Sequence, residues 1–200
     1  MSTPDPERRT GLRLAGGCGV LSAGLILAGP SLPEPVAVAA WILGFLLVLP
    51  FLAGVAASVR TGSRASWLAP VIPAAGAVLV AVQLVQFGVE YAANNLSRSS
   101  PAHEPLHDVG GALFTVAMLP FGTALVAIAI IGLADRALPR WLAGAALVIG
   151  TVALVNGTMV GSEMAWGFLL STVWMFAAGV TLAVRGTRVV ADTGAVTAAA

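Results

Sequence analysis

Long apolar stretches alternate with short polar turns along this chain of 200 residues. Six of the stretches approach the roughly 20 residues that a helix needs to cross a hydrocarbon core of about 30 Å. The predicted spans are residues 11–29, 36–59, 67–92, 105–133, 141–156 and 163–184. The segments 1–10 and 186–200 lack such a stretch, and we expect both to be disordered tails. The pattern predicts an all-α, polytopic membrane protein with six transmembrane helices.

The composition agrees with this class of protein. Apolar residues make up 58% of the chain and charged residues 10%, whereas charged residues are about a quarter of a soluble protein. The expected partner is therefore the lipid bilayer. The net charge of +1 and the lack of a basic tract exclude a nucleic-acid partner. The sequence has no glycine-rich phosphate loop, no G-x-S-x-G and no C-x-x-C, so it does not favour an enzyme.

The arginines predict how the spans are oriented. With six spans, both termini lie on one side of the membrane, together with the turns after the second and fourth spans. That side holds nine of the ten basic residues, all of them arginine, and only Arg98 falls opposite. By the positive-inside rule both termini are cytoplasmic. We expect a multi-pass protein of the plasma membrane.

A polar stripe crosses the third span. Gln83, Gln86 and Glu90, followed by Asn94, are separated by three or four residues and share one helical face. An ionisable residue at membrane depth is a functional candidate, although Glu90 snorkelling to the interface would also explain its position. The fourth span is the antiparallel neighbour of the third and opens with His107 and Asp108. We predict a ligand-binding pocket made of these residues: Gln83, Gln86, Glu90, His107 and Asp108.

The segment before the fourth span matches a metalloprotease motif. His103-Glu104-Pro105-Leu106-His107 reads as H-E-x-x-H, in which two histidines one helical turn apart bind zinc. His103, Glu104 and His107 are thus candidate ligands of a divalent metal. Pro105 argues against zinc chemistry, because proline favours the first position of a helix and would leave His103 outside it. A metal or proton site without catalysis, or exposed loop residues, are the alternatives.

The second half of the chain carries a resemblance. A histidine opens the fourth span (His107), the same span is rich in glycine (Gly110, Gly111, Gly122), and Leu138-Pro-Arg-Trp-Leu-Ala-Gly144 leads into the fifth. This pattern resembles that of uncharacterised bacterial six-helix membrane proteins assigned to domains of unknown function. It implies a bacterial membrane protein and brings no activity with it.

Three functions remain open from the sequence. The leading expectation is that the protein handles a small ligand, a cation or protons through an outward-facing polar pocket, as a transporter or a sensor. The second is a membrane-embedded scaffold or partner subunit. Ala15, Gly19 and Ala23 favour it, because small residues at four-residue intervals let helices associate in lipid, within one chain or in an oligomer. The third, least favoured, is a zinc-dependent membrane hydrolase.

Overall fold

A computed structural model shows the protein as a bundle of α-helices. It describes residues 6–59, 65–135, 138–159 and 166–197, with side chains in residues 10–58, 65, 67–134, 138–159 and 166–184. The arginine-containing turn at 60–64 and Glu163, in the predicted first turn of the sixth span, lie outside the described residues.

The described part of the chain contains seven α-helices. They are α1 (Pro6–Ala28), α2 (Glu34–Val59), α3 (Val71–Asn94), α4 (His103–Val116), α5 (Met118–Asp135), α6 (Arg140–Thr158) and α7 (Trp166–Thr197). Helices α4 and α5 together form one span of 32 residues, so the described chain has six segments long and apolar enough to cross a membrane. The prediction of a six-helix, all-α membrane protein is confirmed.

The fourth span is divided by a proline. Helix α4 ends at Val116 and α5 begins at Met118. Pro120 has no N–H to donate to the Val116 carbonyl four residues earlier, and its ring crowds that carbonyl. The break therefore falls where the helix loses this hydrogen bond. Pro50 has a milder effect, since α2 passes through it as one helix.

Several helix ends differ from the predicted bounds. The predicted third span starts at residue 67, but Ser66–Leu68 forms a 3-10 turn and α3 starts at Val71. Ala69 precedes a proline, and this position disfavours the α conformation. Helices α1 and α7 extend into the two segments expected to be tails, beginning at Pro6 and ending at Thr197. Once a helix is nucleated inside a bundle, each further residue adds one backbone hydrogen bond, so both helices can continue beyond the predicted spans.

The helices form a closed ring around an apolar core. Helix α1 packs between α2 and α7, α5 packs on α6, and α6 returns to α7. Glycines permit the closest approaches: a Cβ on Gly16 would lie 2.6 Å from backbone atoms of α7, and one on Gly122 would lie 2.7 Å from the Gly150 carbonyl of α6. Helix α3 contacts α2, α4 and α5, so the inner face of α3 meets three helices.

Candidate functional site

The candidate site lies where α3 ends and α4 begins, which we call the α3–α4 end of the bundle. Here Glu90 Oε2 lies 3.0 Å from His107 Nδ1. The Glu90 side chain is 28% exposed and that of His107 is 38% exposed, so the pair is neither in the core nor fully solvated. The predicted proximity of these two residues is present in the structure. When the imidazole is protonated the contact is an ion pair between helices; when it is neutral the contact is a hydrogen bond.

Gly110 makes room for the Glu90 carboxylate on α4. A Cβ at this position would collide with Glu90 Oε1 and would lie 2.8 Å from its Cδ and 3.2 Å from its Cγ. Gly110 follows His107 by three residues and therefore lies on the same face of α4. The side chain of Glu90 thus rests in a gap in the surface of α4, next to the imidazole. In the sequence, Gly110 is one of several glycines in the fourth span, and no pattern singles it out.

Gln83 lies two helical turns deeper on α3. It is 1% exposed, and neither its Nε2 nor its Oε1 has a hydrogen-bond partner. Seven residues turn a helix by about 700°, so Gln83 and Glu90 point in nearly the same direction. Because α3 and α4 are antiparallel, seven residues inward from Gly110 is Ala117. The unpartnered amide is therefore level with the break between α4 and α5.

A groove opens beside Glu90 between the end of α3 and the start of α2. Its volume is about 630 Å³. The polar and aromatic side chains that line it are Glu34, Trp41, Gln86, Phe87, Glu90, Tyr91, Asn94 and Asn95. Gln86 is half-buried and Asn94 is exposed. The predicted stripe therefore divides: Gln83 is in the core, whereas Gln86, Glu90 and Asn94 line the groove.

An aromatic layer begins at the groove, and its member Phe87 lies between Gln83 and Glu90 along α3. Trp41 stacks on Phe87 with ring centroids 6.1 Å apart, and Phe87 lies 5.8 Å from Phe45. Phe168 continues the layer, 6.3 Å from Phe45 and 5.2 Å from Phe114. These five rings come from α2, α3, α4 and α7 and form the floor of the site. No periodicity within a single helix indicated this layer, because its members come from four helices.

The candidate metal ligands lie in the first two turns of α4. The prediction that Pro105 begins this helix and leaves His103 outside it is wrong, because the helix begins at His103. The third position suits proline, because the first N–H groups of a helix have no acceptor within it. The one-turn spacing is kept, and the rings of His103 and His107 lie 4.7 Å apart.

The other predicted site residues point elsewhere. Glu104 and Asp108 are exposed, because each lies one residue, or about 100°, from the helix face that carries the histidines. Among the residues that the structure describes, no three histidine, cysteine or carboxylate side chains are grouped closely enough to hold a metal ion. His107 therefore contacts both Glu90 and His103. Asp108, which was predicted to belong to the pocket, is exposed on a different face of α4.

This arrangement suits the binding of a cation or a proton. A carboxylate and an imidazole in contact can share, release or accept one proton, and the adjacent groove offers a second carboxylate and amide oxygens. Comparison with known proteins does not indicate a function, since no protein-family model, curated protein or solved structure matches this chain.

Proposed function

We propose that the protein handles a small cation or protons at the α3–α4 end, as a transporter or a sensor, and that Glu90 and His107 are the groups that bind. The contact of 3.0 Å between these side chains carries the proposal. Both residues lie on membrane-spanning segments. An ionisable pair placed there is costly in lipid and usually serves an ion or proton site. Its partial exposure gives a ligand access from one side of the bundle.

The buried amide of Gln83 supports the same function. A polar side chain inside an apolar bundle costs roughly 1 to 3 kcal/mol when it makes no hydrogen bond. Gln83 lies below the aromatic layer on the same face of α3 as Glu90. It offers an oxygen and an N–H to a cation or water that passes the layer. We therefore propose that the route leads from Glu90 towards the break between α4 and α5.

The orientation of the site is part of the proposal. Both termini are cytoplasmic, and the α3–α4 end opens to the outside of the plasma membrane. Reporter fusions after Arg64, Arg98 and Arg136 test this directly. We expect the Arg98 fusion alone to report an external location, because the loop between α3 and α4 contains the one arginine of that side. A cytoplasmic Arg98 fusion would place the site on the inner face and refute its outward opening.

The function is tested on protein reconstituted into liposomes that enclose a pH-sensitive dye. A sodium or potassium gradient is imposed and proton movement is recorded. We expect flux above that of empty liposomes for the wild type, and flux at that background for Glu90→Gln, which keeps the shape but removes the charge. Asp135→Asn, near the far end of the bundle, is the control and keeps its flux. For a sensor without transport, the same variants are compared by the effect of each cation on the melting temperature.

The measurements also separate this function from the scaffold alternative. A scaffold requires folding but no Glu90 carboxylate, so Glu90→Gln would then leave every cation response unchanged. The small residues that favoured a scaffold do not support it further, because Ala15, Gly19 and Ala23 are buried and pack within this chain. Wild-type flux and wild-type thermal response in Glu90→Gln would refute cation handling at this site.

A further inference from the structure

The groove beside Glu90 is much larger than a bare metal ion needs. About 630 Å³ is within the range of sites for small organic molecules. It is bounded by the first turns of α2, the 3-10 turn Gly29–Ser31 and the last turns of α3. Its volume therefore favours an organic ligand over a single inorganic ion.

The charge of the groove selects the sign of that ligand. Glu34 and Glu90 bring carboxylates from α2 and α3, and Gln86, Asn94 and Asn95 add amides. None of the described residues that line the groove is basic. The imidazole of His107 contacts Glu90 from the α4 side. A cation therefore gains from the two carboxylates, whereas an anion finds no counter-charge in the lining.

An aromatic wall is held in place along the same groove. Trp41 donates its Nε1–H to the Ile26 carbonyl at 3.1 Å and stacks on Phe87. The indole fits here because residue 29 is glycine: a Cβ at Gly29 would lie 2.6 Å from Trp41 Cδ1. Tyr91 adds a further ring at the rim. Trp41, Glu34 and Glu90 line one groove, and an aromatic ring together with carboxylates is the chemistry that binds alkylammonium ions, through cation–π attraction and charge together.

We infer that this groove binds a small alkylammonium cation, with Trp41 as the aromatic contact and with Glu34 and Glu90 as counter-charges. The inference rests on the proposed function and names its substrate class. The ammonium group reaches the groove either as a free amine in the external water or as the headgroup of a lipid such as phosphatidylethanolamine. The recognition chemistry is the same for both sources.

The first test is calorimetric titration of the purified protein with tetramethylammonium chloride. We expect saturable binding, and none for tert-butanol, an uncharged molecule of similar size. Trp41→Leu should weaken binding by about 5- to 30-fold through loss of the cation–π contact. Trp141→Leu, which removes a 63% exposed indole on α6, is the matched control and should bind normally. Glu34→Gln, at an exposed position, should weaken binding by up to about 5-fold. This second variant tests the inference even if Trp41→Leu does not fold.

The second test identifies the source of the ammonium group. Titrations are repeated in liposomes of phosphatidylglycerol alone and in liposomes that also contain phosphatidylethanolamine. Equal binding in both assigns the groove to a free amine, and binding lost in the presence of phosphatidylethanolamine assigns it to the lipid headgroup.

The inference is overturned if the wild type does not bind tetramethylammonium in detergent or in either membrane. It is also overturned if tert-butanol binds equally well, or if both Trp41→Leu and Glu34→Gln bind like the wild type. The proton and inorganic-cation response of Glu90 is measured on the same samples. If that response persists without tetramethylammonium binding, only the ligand class is wrong. If both are absent, the proposed function fails as well.

Discussion

Replacing Gly110 with alanine should separate the Glu90–His107 contact from the stability of the fold. The added Cβ would collide with the Glu90 carboxyl group, which is the free end of a flexible side chain, so the carboxylate moves and the backbone stays. Alanine is more favourable than glycine in a helix interior by about 1 kcal/mol. Losing a partly exposed pair costs about 0 to 1 kcal/mol. We therefore expect Gly110→Ala to change the free energy of unfolding by less than about 1 kcal/mol, but to abolish the Glu90-dependent cation response.

The neighbouring glycine provides a matched control. A Cβ at Gly111 would meet nothing within 4 Å, so Gly111→Ala gains the same helix propensity without touching Glu90. We expect it to raise the free energy of unfolding by about 1 kcal/mol and to keep the cation response. Both variants are compared by chemical denaturation in detergent and by the flux assay in liposomes.

A second substitution reveals whether the carboxylate has moved. Glu90→Gln should lower the stability of the wild type and of Gly111→Ala by the same amount. It should have little further effect in Gly110→Ala, where the contact with His107 is already broken. If Glu90→Gln has the same effect in all three backgrounds, or if Gly110→Ala keeps the cation response, then Gly110 does not position Glu90 and this reasoning is refuted.

Three further outcomes are expected. Gln83→Leu should raise the free energy of unfolding by about 1 to 3 kcal/mol, because it removes an unpartnered buried amide, and it should reduce flux. A lower melting temperature would show that the amide is paired in the folded protein. Gly122→Ala should lower the free energy of unfolding by about 1 to 3 kcal/mol, because the added Cβ overpacks against the α6 backbone. Gly144→Ala, with open space around it, should not lower it. Equal melting temperatures for the two variants would contradict the close α5–α6 packing. Glu90→Gln and His107→Gln should show a non-zero coupling energy in a double-mutant cycle, because the two side chains are in contact; strictly additive effects on the melting temperature would show that the contact contributes nothing to stability.

The sequence predicted which face of α3 carries the polar side chains. It did not predict which residues of the neighbouring helices that face contacts. Offsets of three and four residues are sufficient to align Gln83, Gln86 and Glu90, because helical periodicity is local. The depth of each residue depends on its neighbours. The same stripe places Gln83 in the core and Asn94 at the surface, since Gln83 lies in the middle of α3 and Asn94 is its last residue.

Residues that act by being small or by joining several helices were harder to predict. Gly110 matters because Glu90 reaches it from another helix, and the chain contains 23 glycines, so composition alone cannot single it out. The five rings of the aromatic layer likewise come from four helices. The prediction from Pro105 failed for a different reason. Proline was expected at the first position of the helix, but it lies at the third, where a missing N–H also has no cost.

The length of the fourth span has a consequence for where the site lies in a membrane. At 1.5 Å per residue, its 32 residues extend about 48 Å, whereas the hydrocarbon core is about 30 Å thick. This hydrophobic mismatch requires the span to tilt or to project beyond the core. Because the polar residues lie at its start, we expect α4 to be the end that projects and His107 to lie near the lipid headgroups. A bilayer a few ångströms thicker would draw the Glu90–His107 pair towards hydrocarbon, and membrane thickness would then control its access to water.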